Sequence, residues 1–430
     1  MPRPKSIPTP APALGERALA PAQEGAFRGR TVAGERRRKD PRTVFICTSV
    51  VADYLGPVYR GAGASGARVR TICGLDDHAY RTLSQGRRLT RWRLRAIMYA
   101  LYPLRLVCRV LVGPRRSICI VTSNTFFAPA LVALVAALRG SRVVHLLYDL
   151  YPDALEVAGA IRPGGVLSRC LGLVARANQR WPACVVYLGK VLQSHTEQRW
   201  GQARRSSVVA ISADTCDFPA ACPVLPQRPL RLHYGGQLGQ MHDGGKLTAA
   251  LRALHGRQLL GSEVEMSFRI SGNRARWFAA EVRGLDIEVQ PTLPTRDWRA
   301  VAMTMHIGLV TLSQGGATVC LPSKTYAMMA SGMAIIAICP GWSDLANLVR
   351  ENEAGWVIDS VGGESGTATR SEELRIVEKV ASAFSDLVAH LTQFPREVAS
   401  RRQNAHRAAH DIFGSRAIER QWLALCQTLD

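Results

Sequence analysis

Acidic side chains are in short supply in this chain. There are 33 Asp and Glu against 55 Lys and Arg, a formal charge of +22 over 430 residues. Such a balance favours anionic partners: nucleic acid, acidic lipid or the phosphates of a sugar nucleotide. Long apolar runs are also missing. A membrane-spanning helix needs roughly 20 apolar residues, and the best run, Phe126–Leu138, stops at Arg139 and reads as a buried helix. The N-terminus has no apolar signal-peptide core. No CxxC pair or regular spacing organises the eleven cysteines. They read as reduced thiols in a cytoplasmic compartment, with Cys108, Cys119, Cys170 and Cys339 in the core. Helix-turn-helix, RRM, KH and zinc patterns are all absent, which counts against nucleic acid as the anionic partner. His406 and His410 stand four apart without the glutamate of HExxH, and read as part of a surface helix.

What is present is an alternation of strand-like and helix-like segments. Residues 1–40, rich in Pro, Ala and Arg, read as a disordered extension. From Thr43 the pattern runs strand, Gly-rich turn (55–66), strand, Arg-rich helix (Thr90–Val112), and then further strands and helices. Asp217–Pro229, rich in proline, breaks the rhythm and marks a boundary. The alternation restarts at Leu230, and the last fifty or so residues read as helix. Alternating strands and helices predict parallel sheets covered on both faces. The expected organisation is a Rossmann-like α/β domain over 41–222, a second over 228–410, and a C-terminal helix over 411–430 packing back on the first.

In such sheets ligands bind beyond the carboxyl ends of the strands, so the loops there hold the candidate site. The first is Tyr234–Lys246, where Gly235 and Gly236 let the backbone approach a phosphate and Lys246 offers a cation. The second is Ser271–Trp277, with Gly272 at the turn and Arg274 facing an anion or base. The third is Leu321–Ile338, where Ser323 is placed to cap a helix and Lys324 to reach a diphosphate. In the first half, Asp149 follows a buried strand and precedes Pro152, which suits a carboxylate that orients an acceptor hydroxyl. His145 reads as structural, and His242 as a possible phosphate contact. Between Arg60 and Arg116 there are thirteen Arg and only Asp76 and Asp77 as acids. Arg alternates there with Trp, Tyr, Leu and Ile, as in a helix lying on anionic lipid.

The segment PSKTYAMMASGMAIIAICPGWSDLANLV, its continuation AGWVI, and HLLYDLYPDALEVAGAI resemble family 4 of the glycosyltransferases. The likeness is to the branch that builds O-antigen, colanic-acid and other exopolysaccharide chains. It implies a GT-B fold of two Rossmann-like lobes facing across a cleft. It also implies a nucleotide-diphosphate sugar as co-substrate, with no other cofactor and no metal, and a retaining transfer to a lipid-linked or saccharide acceptor at the inner face of the plasma membrane. By this resemblance the donor is held by Gly235, Gly236, Gly272, Ser323 and Lys324; Gln237, Lys246, Arg274 and Tyr326 complete the expected donor set from their places in the same loops, and Asp149 and Lys324 are the expected catalytic groups. The chain departs from the family at two points. Val319 and Ala327 occupy the positions of the paired glutamates, and Gln237 or Gln240 stands where an arginine often follows the glycine turn. Three alternatives stay open: a non-catalytic GT-B-like partner, a sugar-nucleotide epimerase of the same fold, and a basic nucleic-acid-binding protein.

Overall fold

The computed structural model describes residues 42–429 apart from 52–54, 77–78, 81–82, 84–87, 214, 219–224 and 362–368. The 1–40 extension and the middle of the Pro-rich stretch lie outside the described residues.

The first lobe is built from β1 (Thr43–Val50), α1 (Gly56–Ala64), β2 (Arg68–Leu75), α2 (Arg88–Ala96), α3 (Tyr102–Val112), β3 (Ile118–Thr122), α4 (Ala128–Ala137), β4 (Arg142–Leu147), α5 (Asp153–Val157), α6 (Val166–Arg180), β5 (Cys184–Tyr187), α7 (Lys190–Trp200) and β6 (Ser206–Val208). A widened turn, Ile97–Leu101, joins α2 to α3. The second lobe contains β7 (Leu230–Gln237), α8 (Gly244–Gly256), β8 (Val264–Ser271), α9 (Ala275–Glu281), β9 (Glu288–Gln290), α10 (Thr295–Thr304), β10 (Ile307–Thr311), α11 (Gly316–Val319), α12 (Lys324–Ala330), β11 (Ala334–Cys339), α13 (Asp344–Glu351) and β12 (Gly355–Asp359). Three helices follow: α14 (Arg370–Gln393), α15 (Pro395–Asp411) and α16 (Ser415–Thr428).

Each lobe holds a six-stranded sheet, ordered β2-β1-β3-β4-β5-β6 and β12-β11-β10-β7-β8-β9, and the pairings are parallel. Helices cover both faces, so the central strands are buried throughout: β1, β3, β10 and β11 read as unbroken apolar runs for this reason. The order reverses between β1 and β3 in one sheet and between β7 and β10 in the other. Those two switch points open the crevices in which such sheets bind ligands.

The Gly-rich segment 55–66 is a helix rather than a turn. A Cβ at Gly61 would lie 2.6 Å from the Glu419 carbonyl and from Trp422, so the missing side chain lets α1 press directly against α16. The final helix thereby completes the first lobe's core: Ile418, Trp422, Leu425 and Cys426 pack with Val44, Leu55, Val58 and Ile118. A different apolar cluster crosses between the lobes, joining Leu147, Leu150 and Tyr187 to Leu312, Val319, Met329 and Leu345.

Two further sequence expectations need correction. Cys119 and Cys339 are buried as expected, but Cys108 and Cys170 are exposed on α3 and α6. His406 is buried rather than on a surface face, its ring tilted against that of His410 with the centroids 4.2 Å apart. Helix α4 is buried along most of its length, as expected, with Leu134 exposed.

Candidate active site

The second lobe's switch point is formed by the loops after β7 and β10. They are tied together where Ser313 N donates to the Met241 carbonyl at 2.9 Å, and a Cβ at Gly316 would strike that same carbonyl. Strand β7 carries its glycines into the crevice. Gly236 adopts φ +106°, a region that favours glycine, and Lys324 Cδ lies 3.5 Å from where its Cβ would be. A Cβ at Gly235 would meet His233 Nε2 at 2.6 Å and Trp298 Nε1 at 2.9 Å.

Lys324 is the centre of the arrangement. Its Nζ is shielded from solvent, has no hydrogen-bond partner among the described residues, and sits 3.7 Å from the centroid of the Tyr234 ring. Burial lowers this amine from the ordinary lysine range to about 7, with Cys320 acting weakly in the opposite sense. The neighbouring imidazoles are neutral. Burial and then the charge of Lys324 hold His242 at about 3 and His233 at about 4. His242 Nδ1 accepts from Gly239 N at 3.2 Å, and His233 Nε2 accepts from Trp298 Nε1 at 2.9 Å. The crevice thus presents the Lys324 amine, without an ion pair to a described residue, in a wall of glycine backbone and uncharged rings. An isolated buried cation is costly, and an anion entering the crevice would offset that cost.

The other expected donor residues divide. Gly272 has φ +104°, and a Cβ there would lie 2.6 Å from the Leu238 carbonyl, so the turn after β8 needs glycine. Gln237 is the exposed last residue of β7. Arg274 lies over Trp277, 5.6 Å from the ring centroid. Lys246 is taken up by Asp243, its Nζ 2.5 Å from the carboxylate. Ser323 starts α12 without its side chain capping it. Tyr326 is buried with its ring 5.1 Å from Phe413, and belongs to the core rather than to the crevice.

Across the cleft, Asp149 stands at the end of β4. Ser123 Oγ accepts from both Tyr148 N (3.0 Å) and Asp149 N (3.1 Å), which fixes the backbone there. Its carboxylate makes no hydrogen bond to a described residue and caps no helix. Asp149 is accessible in the cleft although protein surrounds it on most sides, and this partial desolvation raises its carboxyl. Burial first, and then the charge of Asp149, push the Cys320 thiol up to about 12, while Lys324 opposes them. Asp149, Cys320 and Lys324 therefore share one electrostatic neighbourhood. His145 is structural, as expected: its Nδ1 lies 3.2 Å from the Asn178 carbonyl and burial holds it at about 4.

Two further groups escaped the sequence reading. Asp153, behind Asp149, is buried and accepts from His195 Nε2 (2.9 Å), Arg199 Nη1 (2.7 Å) and Trp200 Nε1 (2.8 Å). Burial alone would raise its carboxyl, but those donors and the Arg199 charge outweigh it and hold the group below the ordinary range. Arg199 also grips Glu156 at 2.7 Å. The acids at 153 and 156, one helical turn apart, were the available signal. The second group is Asp344 at the start of α13. It reaches across the cleft to accept from Val191 N and Leu192 N, both at 3.0 Å, at the first turn of α7. A Cβ at Gly189 would lie 2.2 Å from this carboxylate.

The two crevices facing each other define the fold as GT-B, the two-lobe architecture of many glycosyltransferases. Among solved structures the chain is similar to Alr3699/HepE of Anabaena in complex with UDP-glucose, with TM-score 0.61 and 13% identity over 90% of this chain and 99% of that one. It is also similar to sucrose-phosphate synthase of Thermosynechococcus elongatus (TM-score 0.57, 13% identity, 90% and 99% covered). A glycosyltransferase of Rickettsia africae is a third (TM-score 0.58, 10% identity, 91% and 99% covered). By sequence it is similar to a curated protein, the probable glycosyltransferase WbjE of Pseudomonas aeruginosa, 23% identical over 226 residues. That match spans about half of each chain, 50% of this one and 56% of the relative. No family model matches the chain.

Proposed function

We propose that this chain is a glycosyltransferase that transfers sugar from a nucleotide-diphosphate donor to an acceptor held by the first lobe. The observation that carries this reading is the Lys324 amine, buried and without a hydrogen-bond partner among the described residues, at the switch point of the second lobe. In this reading the donor's diphosphate sits against the Gly235–Gly236 backbone and Lys324. The amine, half charged near neutrality when the crevice is empty, becomes fully charged beside the phosphates. It then stabilises the negative charge that develops as the diphosphate leaves. Charge stabilisation by a fixed lysine fits a transfer that requires neither a metal nor a resident cofactor. Asp149 orients the acceptor hydroxyl from the opposite wall.

The finer assignment follows the sequence resemblance. It is a retaining enzyme of family 4, acting in bacterial polysaccharide biosynthesis on a lipid-linked saccharide. The exposed Arg, Leu and Trp side chains of α2 and α3 support a first lobe resting on the inner face of the plasma membrane, and among the described residues no helix is long and apolar enough to cross it.

The test uses Lys324→Ala. It should lower transfer from UDP-glucose or another sugar nucleotide by roughly 10²–10³-fold, and abolish the thermal stabilisation that a bound donor gives, while the circular dichroism spectrum stays unchanged. Full activity in this variant would remove the site assignment.

A further inference from the structure

On the outer edge of the first lobe, far along the chain from the donor crevice, a recess of about 710 Å³ lies between edge strand β2 and helix α3. Arg70 and Thr71 of β2 line one wall, and Arg105, Arg109 and Val112 of α3 line the other. Arg105 and Arg109, four residues apart, share one face of the helix. The Arg105 guanidinium is steadied by donating to the Cys73 carbonyl at 3.3 Å. No ion pair ties any of the three arginines to a described residue, and no acid lines the recess. Three cations thus converge on a pocket that supplies no counter-charge.

The recess has an apolar rim at Val112, 86% exposed, and at Pro114; Leu104 and Leu111 are exposed on the neighbouring outer face of the same helix. The opposite side of α3 is anchored through Tyr102, Leu106 and Val110, so this outward face is not spare core. A free phosphate ion has no use for that rim. A headgroup phosphate whose acyl chains continue past it uses both parts, since arginines match phosphate geometry and apolar side chains enter the acyl boundary.

We infer that this recess binds the phosphodiester of an anionic phospholipid headgroup and so fixes how the first lobe lies on the bilayer. The inference rests on the membrane reading above, but not on the donor site. Binding at one built pocket differs from attraction by overall charge, and the experiment separates the two.

The full chain is sedimented with vesicles of phosphatidylcholine containing phosphatidylglycerol, and with phosphatidylcholine alone. One variant carries Arg70→Gln, Arg105→Gln and Arg109→Gln. A control of equal charge carries Arg283→Gln, Arg375→Gln and Arg396→Gln, all exposed in the second lobe. At roughly fivefold per arginine near an anionic surface, the recess variant should lose on the order of a hundredfold in affinity for the anionic vesicles, and the control less than tenfold. UDP-glucose should stabilise both variants as it does the parent, so a failed donor site and a failed lipid site are told apart. Equal losses in the two variants would reduce the effect to net charge and overturn the inference. Parental binding by the recess variant would overturn it too. If inorganic phosphate perturbs Thr71 while the parent ignores anionic vesicles, the recess is a free-phosphate site and the lipid assignment falls.

Discussion

The two lobes share one architecture and solve opposite electrostatic problems at their strand ends. The second lobe buries the Lys324 amine, without a hydrogen-bond partner among the described residues, amid neutral histidines, glycine backbone and a tyrosine ring. The first leaves the Asp149 carboxylate open in the cleft and puts compensated charges behind it, where Asp153 is surrounded by three donors. Their outer surfaces differ as well. Helices α3 and α6 of the first lobe contain no acid and expose Leu104 and Leu173 beside their arginines. Similar folds therefore say little about division of labour, which is set by where each lobe leaves a charge uncompensated.

Substitutions that act on one lobe alone would sharpen this contrast. The largest effect is expected for Asp149→Asn. Transfer should fall by roughly 10²–10⁴-fold, the range for a positioned proton acceptor, with donor affinity unchanged by calorimetry. A parallel loss of donor binding would break the division between the walls. Next comes Asp153→Ala, which takes the acceptor from the buried Trp200 indole and leaves Arg199 with Glu156 alone. A cost of about 3–5 kcal/mol in unfolding free energy is expected from breaking a buried ion pair, measured by chemical denaturation. The second lobe's Lys324 site, probed by donor-induced protection of its amides from hydrogen exchange, should change less.

Asp344→Ala removes a contact that belongs to neither lobe alone. Two charged hydrogen bonds are lost, for which about 1.5–3 kcal/mol is typical. Small-angle scattering should report a shift toward a more open chain, and UDP-glucose should restore the closed form. An unchanged scattering profile would show that the shared apolar cluster holds the lobes together without help. The smallest effect concerns pH. The Lys324 amine of the empty crevice titrates at about 7, and a bound diphosphate favours the protonated form. Donor affinity should therefore be greatest below pH 7 and weaken by up to about tenfold per unit above it, until the bound-state value is passed. Lys324→Arg, charged throughout, should flatten the profile.

The alternation of apolar strands and helices was legible in the sequence because strands buried on both faces leave long apolar runs, as in β3 and β11. The glycines of α1 were not legible as helix. One of them, Gly61, admits α16, a contact across more than 350 positions that no local pattern encodes. The candidate donor wall was marked in the 321–338 segment by the polar pair Ser323 and Lys324 at a helix start, to which the likeness to a family added. That the Lys324 amine has no hydrogen-bond partner among the described residues follows only from how β7, β10 and α12 converge. Tyr326, adjacent in sequence, looked equivalent, yet its position along α12 turns it onto Phe413. The Asp344 contact was invisible because its donors are backbone amides, which carry no residue identity.

The placement of α16 has a consequence for how the molecule is made. The last helix completes the core of the first lobe, packing against α1 and β1, while the whole second lobe lies between them in the chain. On the ribosome the first lobe is synthesised first but lacks Ile418, Trp422 and Leu425 until the second lobe has also been made. Its apolar bed for that helix stays uncovered while roughly two hundred residues emerge and fold. A nascent chain of this kind depends on chaperone cover for longer than one whose domains close in order, and removal of α16 should harm the first lobe more than the second.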